Sequence, residues 1–261
     1  MSPSTATNVT DPLQATVLGI PVSVCDDVLA SAIALHGKGG GQIVTLNAEM
    51  TMAALADPAL AGAIRGADLV IPDGAGVVWA LGRQGIGVRR APGIELARNL
   101  LEHAAGQRWR VALVGASPPV LDHLCHRLKA EIPDLQLVMA IDGYRDSEAW
   151  PNLEQRLLAM QPDLVLVALG VPRQELWIHD LRHPLRGIWM GVGGSFDVWA
   201  GTKKRAPLWM GKIHLEWLYR LIQEPSRWRR MLALPAFMGA VLSGSPLKPA
   251  TRRQEARRRG E

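Results

Sequence analysis

Several chemistries are excluded by what the sequence does not contain. Only two cysteines occur, Cys25 and Cys125, and there is no CxxC, HExxH or other metal-ligand spacing. A disulfide scaffold is therefore not expected, and the thiols read as reduced, as in a cytosolic protein. There is no D-x-D pair and no GxxxxGK[ST]; "GVGGSF" is not GxGxxG, and "GAGVVW" lacks its last glycine. These absences argue against a P-loop nucleotidase and a nicotinamide oxidoreductase. Aromatics are few apart from tryptophan, with nine Trp against two Tyr and two Phe. His103, His123 and His126 fall in helix-like stretches and read as structural or exposed. No apolar run is long enough to span a bilayer. "MLALPAFMGAVLSG" (231–244) comes nearest, but it is short and contains Pro235. The polar start "MSPSTATNVTDP" has no apolar stretch of the signal-peptide kind.

What the chain does contain is a core. It has 261 residues, 48% of them hydrophobic, enough for one large α/β domain or one domain plus an extension. Six apolar runs read as strands: "QIVTL" (42–46), "DLVI" (68–71), "RVALVG" (110–115), "LQLVMAI" (135–141), "DLVLVALG" (163–170) and "GIWMGVGG" (187–194). They are continuous rather than alternating, the pattern of strands buried on both faces. Helix-like stretches such as "GIELARNLLEHAA" (93–105) and "PPVLDHLCHRLKAEI" (118–132) lie between them. This alternation predicts an α/β fold with a Rossmann-like, doubly wound, mostly parallel sheet. Residues 1–15 are expected to form a flexible N-terminus, 16–202 the α/β domain, 203–245 a helical basic appendage and 246–261 a disordered basic tail.

Charge is unevenly spread. Residues 203–261 carry 14 Lys/Arg against 4 Asp/Glu, whereas residues 1–202 carry 15 against 20. The stretch "APLWMGKIHLEWLYRLIQEPSRWRRMLALPAFM" (206–238) is helical in pattern and Trp-rich, with Pro225 marking a break. A basic segment on an acidic body suggests an anionic partner, a membrane surface, nucleic acid or phosphate ligand; a solvated helix face is the plainer reading. The chain has no recognisable nucleic-acid reading motif, so nucleic acid is not expected.

Parallel sheets bind ligands at the carboxyl ends of their strands. That rule gathers Thr45 and Asn47, Asp73, Gly115 and Ser117, Gly170 and Gln174, and Gly193, Gly194 and Ser195 at one rim. Each has an ordinary alternative. Asp73, between Pro72 and Gly74, suits a simple turn. Asn47 suits a helix N-cap. "GASPP" suits a strand-to-helix turn, with or without a bound phosphate. The convergence on one rim is the stronger signal.

The motifs "TLNAEM", "PDGAGVVWA", "RAPGIEL", "GVPRQE", "MGVGGSFDVWAG", "KRAP" and "EWLYRLIQEPSRWRR" occur in this order. With them the chain strongly resembles the WecG/TagA/CpsF family of bacterial glycosyltransferases over roughly residues 16 to 235. The resemblance implies a hexosyltransferase that moves a sugar (N-acetylmannosamine, its uronic acid or glucose) from a UDP-sugar to a polyprenyl-diphosphate-linked saccharide, in cell-surface polysaccharide or teichoic-acid-type biosynthesis. It implies Asp73 as catalytic base, and Thr45, Asn47, Arg90 and Gln174 in the sugar pocket. Gly115, Ser117, Gly193 and Gly194 are the further substrate-binding candidates. Arg220, Arg227 and Arg230 match appendage arginines and are expected at the leaving diphosphate. No metal and no cofactor are expected. The appendage, with Trp209, Trp217 and Trp228, suits an anionic membrane surface, which places the protein peripherally on the inner face of the plasma membrane. A homo-oligomer stays open. The alternative is a non-catalytic nucleotide-sugar or lipid-diphosphate binding protein on the same fold.

Overall fold

A hairpin that the strand pattern did not announce precedes the sheet. The computed structural model describes residues 12–182, 186–207, 210, 216–225 and 228–244. Strands β1 (Leu13–Val17) and β2 (Ile20–Val24) pair antiparallel through a two-residue turn at Leu18 and Gly19. Both turn residues have positive φ, 53° and 79°, the geometry that matches strand twist. The first of them is a leucine, which hides the turn inside the apolar run "TVLGIPV". β1 thus begins within the stretch expected as a flexible N-terminus.

Six further strands form one parallel sheet: β3 (Gly41–Leu46), β4 (Leu69–Pro72), β5 (Arg110–Gly115), β6 (Gln136–Ile141), β7 (Leu164–Ala168) and β8 (Ile188–Gly191). Their order is β4-β3-β8-β7-β5-β6. All five neighbouring pairs are parallel, as a doubly wound fold requires. The hairpin lies beside the β4 edge, where the hydroxyl of Ser23 accepts the Val70 N–H at 3.1 Å. This occupies a backbone donor that an edge strand would otherwise leave open.

The continuous apolar runs have a direct cause. On β3, Ile43 packs into the core on one face of the sheet, while Val44 and Leu46 pack on the other. On β5, Val111 and Leu113 take one face and Ala112 and Val114 the opposite one. Successive side chains point to opposite faces, and helices cover both, so apolar residues predominate at both parities of position.

Helix starts are locally encoded. Asp27 caps α1 (Val28–Gly37), accepting the Ala30 N–H at 2.9 Å. Asn47 caps α2 (Ala48–Ala56) through the Met50 N–H at 2.9 Å. Asp57 then caps α3 (Pro58–Arg65), with Pro58 in the first turn, where its missing N–H costs nothing. The helix α4 (Ala75–Arg83) follows β4, and α5 (Gly93–Gln107) and α6 (Pro118–Glu131) flank β5. Then come α7 (Trp150–Met160), α8 (Arg173–Leu181) after β7, and the short α9 (Ser195–Trp199) after β8.

Among the described residues of the C-terminal segment lie three helices: α10 (Glu216–Gln223), α11 (Trp228–Met231) and α12 (Ala233–Ser243). The chain leaves α10 just before Pro225. Among the described residues no helix is long and apolar enough to cross a membrane. α12 lies against α2 and α4, and its Phe237, 1% exposed, joins the same core cluster as Leu46, Met50 and Val77. The last helix is therefore packed into the α/β core.

Candidate active site

β8 ends the sheet's strand sequence but sits in its middle, between β3 and β7. The helix after β3, α2, packs on one face, and α9, after β8, contributes Phe196 to the other. Chain directions diverge between these strands, which opens a crevice at their carboxyl ends. A cleft of about 1170 Å³ occupies this place. Thr45, Asn47, Asp73, Arg90 and Ser117 line it, as do Gln174, Gly193, Gly194 and Arg230.

Asp73 follows β4 directly, and its N–H donates to the Leu46 carbonyl at 3.0 Å, fixing the exit from the strand. The loop after α4 returns to this point, with the Ala91 N–H donating to the Pro72 carbonyl at 3.0 Å. Arg90 is thereby held over Asp73. Its Nε donates to the Asp73 carbonyl, and its Nη2 lies 3.7 Å from the carboxylate. The glycines beside the two motifs make this approach possible. A Cβ on Gly74 would lie 2.9 Å from the Asn47 Cβ, and one on Gly93 2.7 Å from the Thr45 Cγ2. The N-cap reading of Asn47 is correct, and the same residue also lines the cleft.

Gln174 lies differently from a simple pocket residue. It is 2% exposed, and its Oε1 accepts the backbone N–H groups of Gly170 and Gly193 at 3.1 and 3.2 Å. Its amide nitrogen donates to Glu175 at 2.7 Å. Gly115 stands behind the cleft rather than in its lining. With φ at +114°, it lets β5 approach β7, where a Cβ would meet the Ala168 carbonyl at 2.4 Å. Ser117 occupies the N-cap position of α6 without a side-chain cap bond, at the cleft wall.

Arg230 reaches the cleft from α11, and its Nη1 lies 3.5 Å from Glu49 on α2. Arg220 lies on α10, but its side chain is outside the described residues, as is Arg227 altogether. So are Trp209 and residues 1–11 and 245–261.

Sequence reading gave no role to the consecutive basic residues after α9. Lys203, Lys204 and Arg205 line the cleft. Lys203 pairs with Glu224 and lies 3.5 Å from Asp197; Arg205 pairs with Glu95. Burial opposes the charge on Lys203, but Glu224 and Asp197 more than offset it and hold the ammonium pKa above its usual value. Three consecutive basic residues just beyond the short helix that follows β8 are the signal that finds them. Tyr144 and Arg173 also line the cleft, and the Arg173 guanidinium lies 5.1 Å over the Trp150 ring. Among the described residues no three His, Cys, Asp or Glu side chains are grouped as metal ligands.

The arrangement provides a carboxylate with an adjacent guanidinium, several cations, and backbone N–H groups at helix starts, all in one crevice. Such a crevice suits an anionic ligand. An N-acetylglucosaminyldiphosphoundecaprenol N-acetyl-beta-D-mannosaminyltransferase from Bacillus spizizenii is 38% identical over 210 residues, covering 80% of this chain and 81% of that protein. The protein of the same name from Bacillus subtilis strain 168 is 36% identical over 207 residues, covering 78% and 80%. Residues 15–250 match the description "Glycosyl transferase WecG/TagA/CpsF family", and the chain belongs to that family.

Proposed function

We propose that this glycosyltransferase is inverting and metal-independent, and that it moves N-acetylmannosamine or a related hexose from a UDP-sugar to a polyprenyl-diphosphate-linked saccharide. The observation that carries the reading is the Asp73 carboxylate at the end of β4, beside Arg90, in a cleft that also holds Lys203, Lys204, Arg205 and Arg230. The names of the two Bacillus relatives support N-acetylmannosamine as the sugar and a polyprenyl-diphosphate-linked N-acetylglucosamine as acceptor.

In this mechanism Asp73 takes the proton of the acceptor hydroxyl as that oxygen attacks the anomeric carbon. The bond from that carbon to the diphosphate oxygen breaks, and UDP leaves with the bonding electrons. The new glycosidic bond forms on the opposite face, so the configuration inverts. Charge that develops on the diphosphate is met by the cleft cations and by helix N-termini. Thr45 and Asn47 border the donor sugar. Arg220 and Arg227 are proposed as further diphosphate contacts.

The C-terminal helices support a membrane-surface location. Trp217, Ile222, Trp228, Leu232, Met238 and Leu242 are exposed on a segment rich in arginine. Amphipathic helices with Trp, Leu and basic residues lie in the lipid interface. We place the protein on the inner face of the plasma membrane, where the lipid acceptor is presented.

A screen of UDP-sugars for acceptor-dependent UDP release, with EDTA present, tests the reading. UDP release that requires the lipid-diphosphate acceptor, survives chelation and gives a product of inverted configuration by NMR is expected. Transfer that needs added Mg²⁺ or Mn²⁺ would overturn metal independence, and retained configuration would overturn the single displacement.

A further inference from the structure

At the floor of the cleft lies a buried polar pair: Gln174 lines the cleft, and Glu175 behind it has no part in the transfer reaction. Gln174 and Glu175, the first residues of α8 after Arg173, are each 2% exposed. The Gln174 amide spans two loops, because one oxygen accepts from Gly170, after β7, and from Gly193, after β8. A carboxamide can turn over by half a rotation and exchange its oxygen for its nitrogen. In the turned state two backbone N–H groups would face an NH₂ group. Glu175 reinforces the first state from the other end of the amide. Its Oε1 accepts the Gln174 Nε2 at 2.7 Å, and an acceptor on that side fixes the oxygen on the other.

The surroundings are shaped for this pair. β8 ends in Gly191, where a Cβ would lie 2.5 Å from the Gln174 Nε2 and 3.0 Å from the Glu175 Oε1. The backbone carbonyl of Glu175 is tied to β3 through the Gln42 Nε2 at 3.2 Å. Among the described residues Glu175 makes no ion pair, and its Oε2 has no hydrogen-bond partner. An unpaired buried carboxyl is costly, so its placement calls for a compensating use.

We infer that Glu175 is a positioning residue, which through the amide of Gln174 sets the spacing of the β7 and β8 loops that floor the cleft. Burial pushes the carboxyl up to about 7. That value suits the assignment, since the neutral acid keeps a carbonyl oxygen for Gln174 and carries no buried charge. The catalytic consequence rests on the transferase reading; the positioning does not.

The test compares Glu175→Met, Glu175→Gln, Gln174→Met and the double Met variant in the full chain. Amide hydrogen exchange is followed in peptides that contain Gly170 and Gly193, and UDP binding by calorimetry. Glu175→Met should weaken protection in both peptides and raise the UDP Kd by about tenfold, the size of one lost buried hydrogen bond. At about pH 4.5, where the parent carboxyl keeps its proton, Glu175→Gln, which keeps an acceptor oxygen, should stay within about threefold of the parent in both measurements. The double variant should match Gln174→Met alone, because Glu175 acts only through that amide. Unchanged protection in Glu175→Met, additive effects in the double variant, or equal loss in Glu175→Gln would each overturn the inference. Should Glu175→Met fail to fold, NMR of the parent decides. A slowly exchanging Gln174 side-chain N–H whose shift follows the Glu175 titration is expected, and a freely exchanging one overturns it. Loss of sugar transfer with all UDP-sugars would count against the transferase reading and leave the exchange result standing.

Discussion

Arg90 holds Asp73 at two points, with Nε on its carbonyl and Nη2 3.7 Å from its carboxylate. The carboxylate is thus oriented in part by a side chain seventeen residues away. Asp73→Asn keeps the shape and the Arg90 contact to the carbonyl but removes the base. Turnover should fall by about 10²–10⁴-fold, while UDP binding by calorimetry changes little. A folded variant with near-parent turnover would refute the assignment.

Arg230 meets Glu49 at 3.5 Å on the cleft wall, so α11 brings a cation beside the helix that Asn47 caps. If its charge stabilises the departing diphosphate, Arg230→Ala should lower kcat by about 10–100-fold. Arg230→Lys should recover part of that loss. Steady-state UDP release measures both, and a kcat equal to the parent's in Arg230→Ala would assign the residue to structure or lipid contact.

The raised pKa of Glu175 has a defined sign in stability. Between the unfolded value of 4.5 and the folded value of about 7, the native state keeps a proton that the unfolded chain has released. Stability is therefore lost as pH rises through that window and changes no further above it. Glu175→Gln does not titrate. It should match the parent near about pH 4 and exceed it by on the order of 3 kcal/mol above about pH 7.5. Urea denaturation at the two pH values reads the difference, and an equal gap at both would contradict the buried-acid account.

Phe237 gives the C-terminal segment a second role. It is almost fully buried, and its ring lies 3.3 Å from where a Cβ on Gly76 would stand. Phe237→Ala should destabilise the fold by about 3–5 kcal/mol, read as a lower denaturation midpoint. Deleting everything after residue 202 would uncover the same pocket between α2 and α4. A midpoint unchanged in Phe237→Ala would show that α12 is not part of the cooperative unit.

The exposed aromatics of α10 and α11 are expected to meet lipid. Replacing Trp217 and Trp228 by Ser should weaken binding to vesicles of anionic phospholipid by about tenfold. Transfer to a water-soluble acceptor should fall less than transfer to the lipid-linked one. Undiminished sedimentation with vesicles would remove these tryptophans from the membrane contact.

The sheet was legible because both of its faces are covered. Val44 and Ile43 point opposite ways yet are both apolar, which leaves an unbroken run for each strand. Strand ends then placed Thr45, Asn47 and Asp73 on one rim. The hairpin was not legible, since its turn opens on Leu18 rather than on the Asn or Gly that marks such turns. Pairings distant in sequence left no local signal either. Arg205 meets Glu95, and Lys203 meets Glu224, only after the sheet has set the positions of their helices. The burial of Glu175 was hidden for a related reason. Its motif reads as a polar helix start, but α8 begins beneath the loop after β8 and not in solvent.

The central position of β8 bears on how the molecule is made. While the ribosome has not yet passed residue 191, β3–β4 and β7–β5–β6 are two separate ribbons, each with an inner edge that lacks its neighbour. Those edges are the ones most able to pair with another nascent chain. The strand that joins them also carries Gly193, the N–H that completes the contact to Gln174. Closure of the sheet and formation of the cleft floor are therefore one late event in synthesis, and a shorter nascent chain has no complete floor to the cleft.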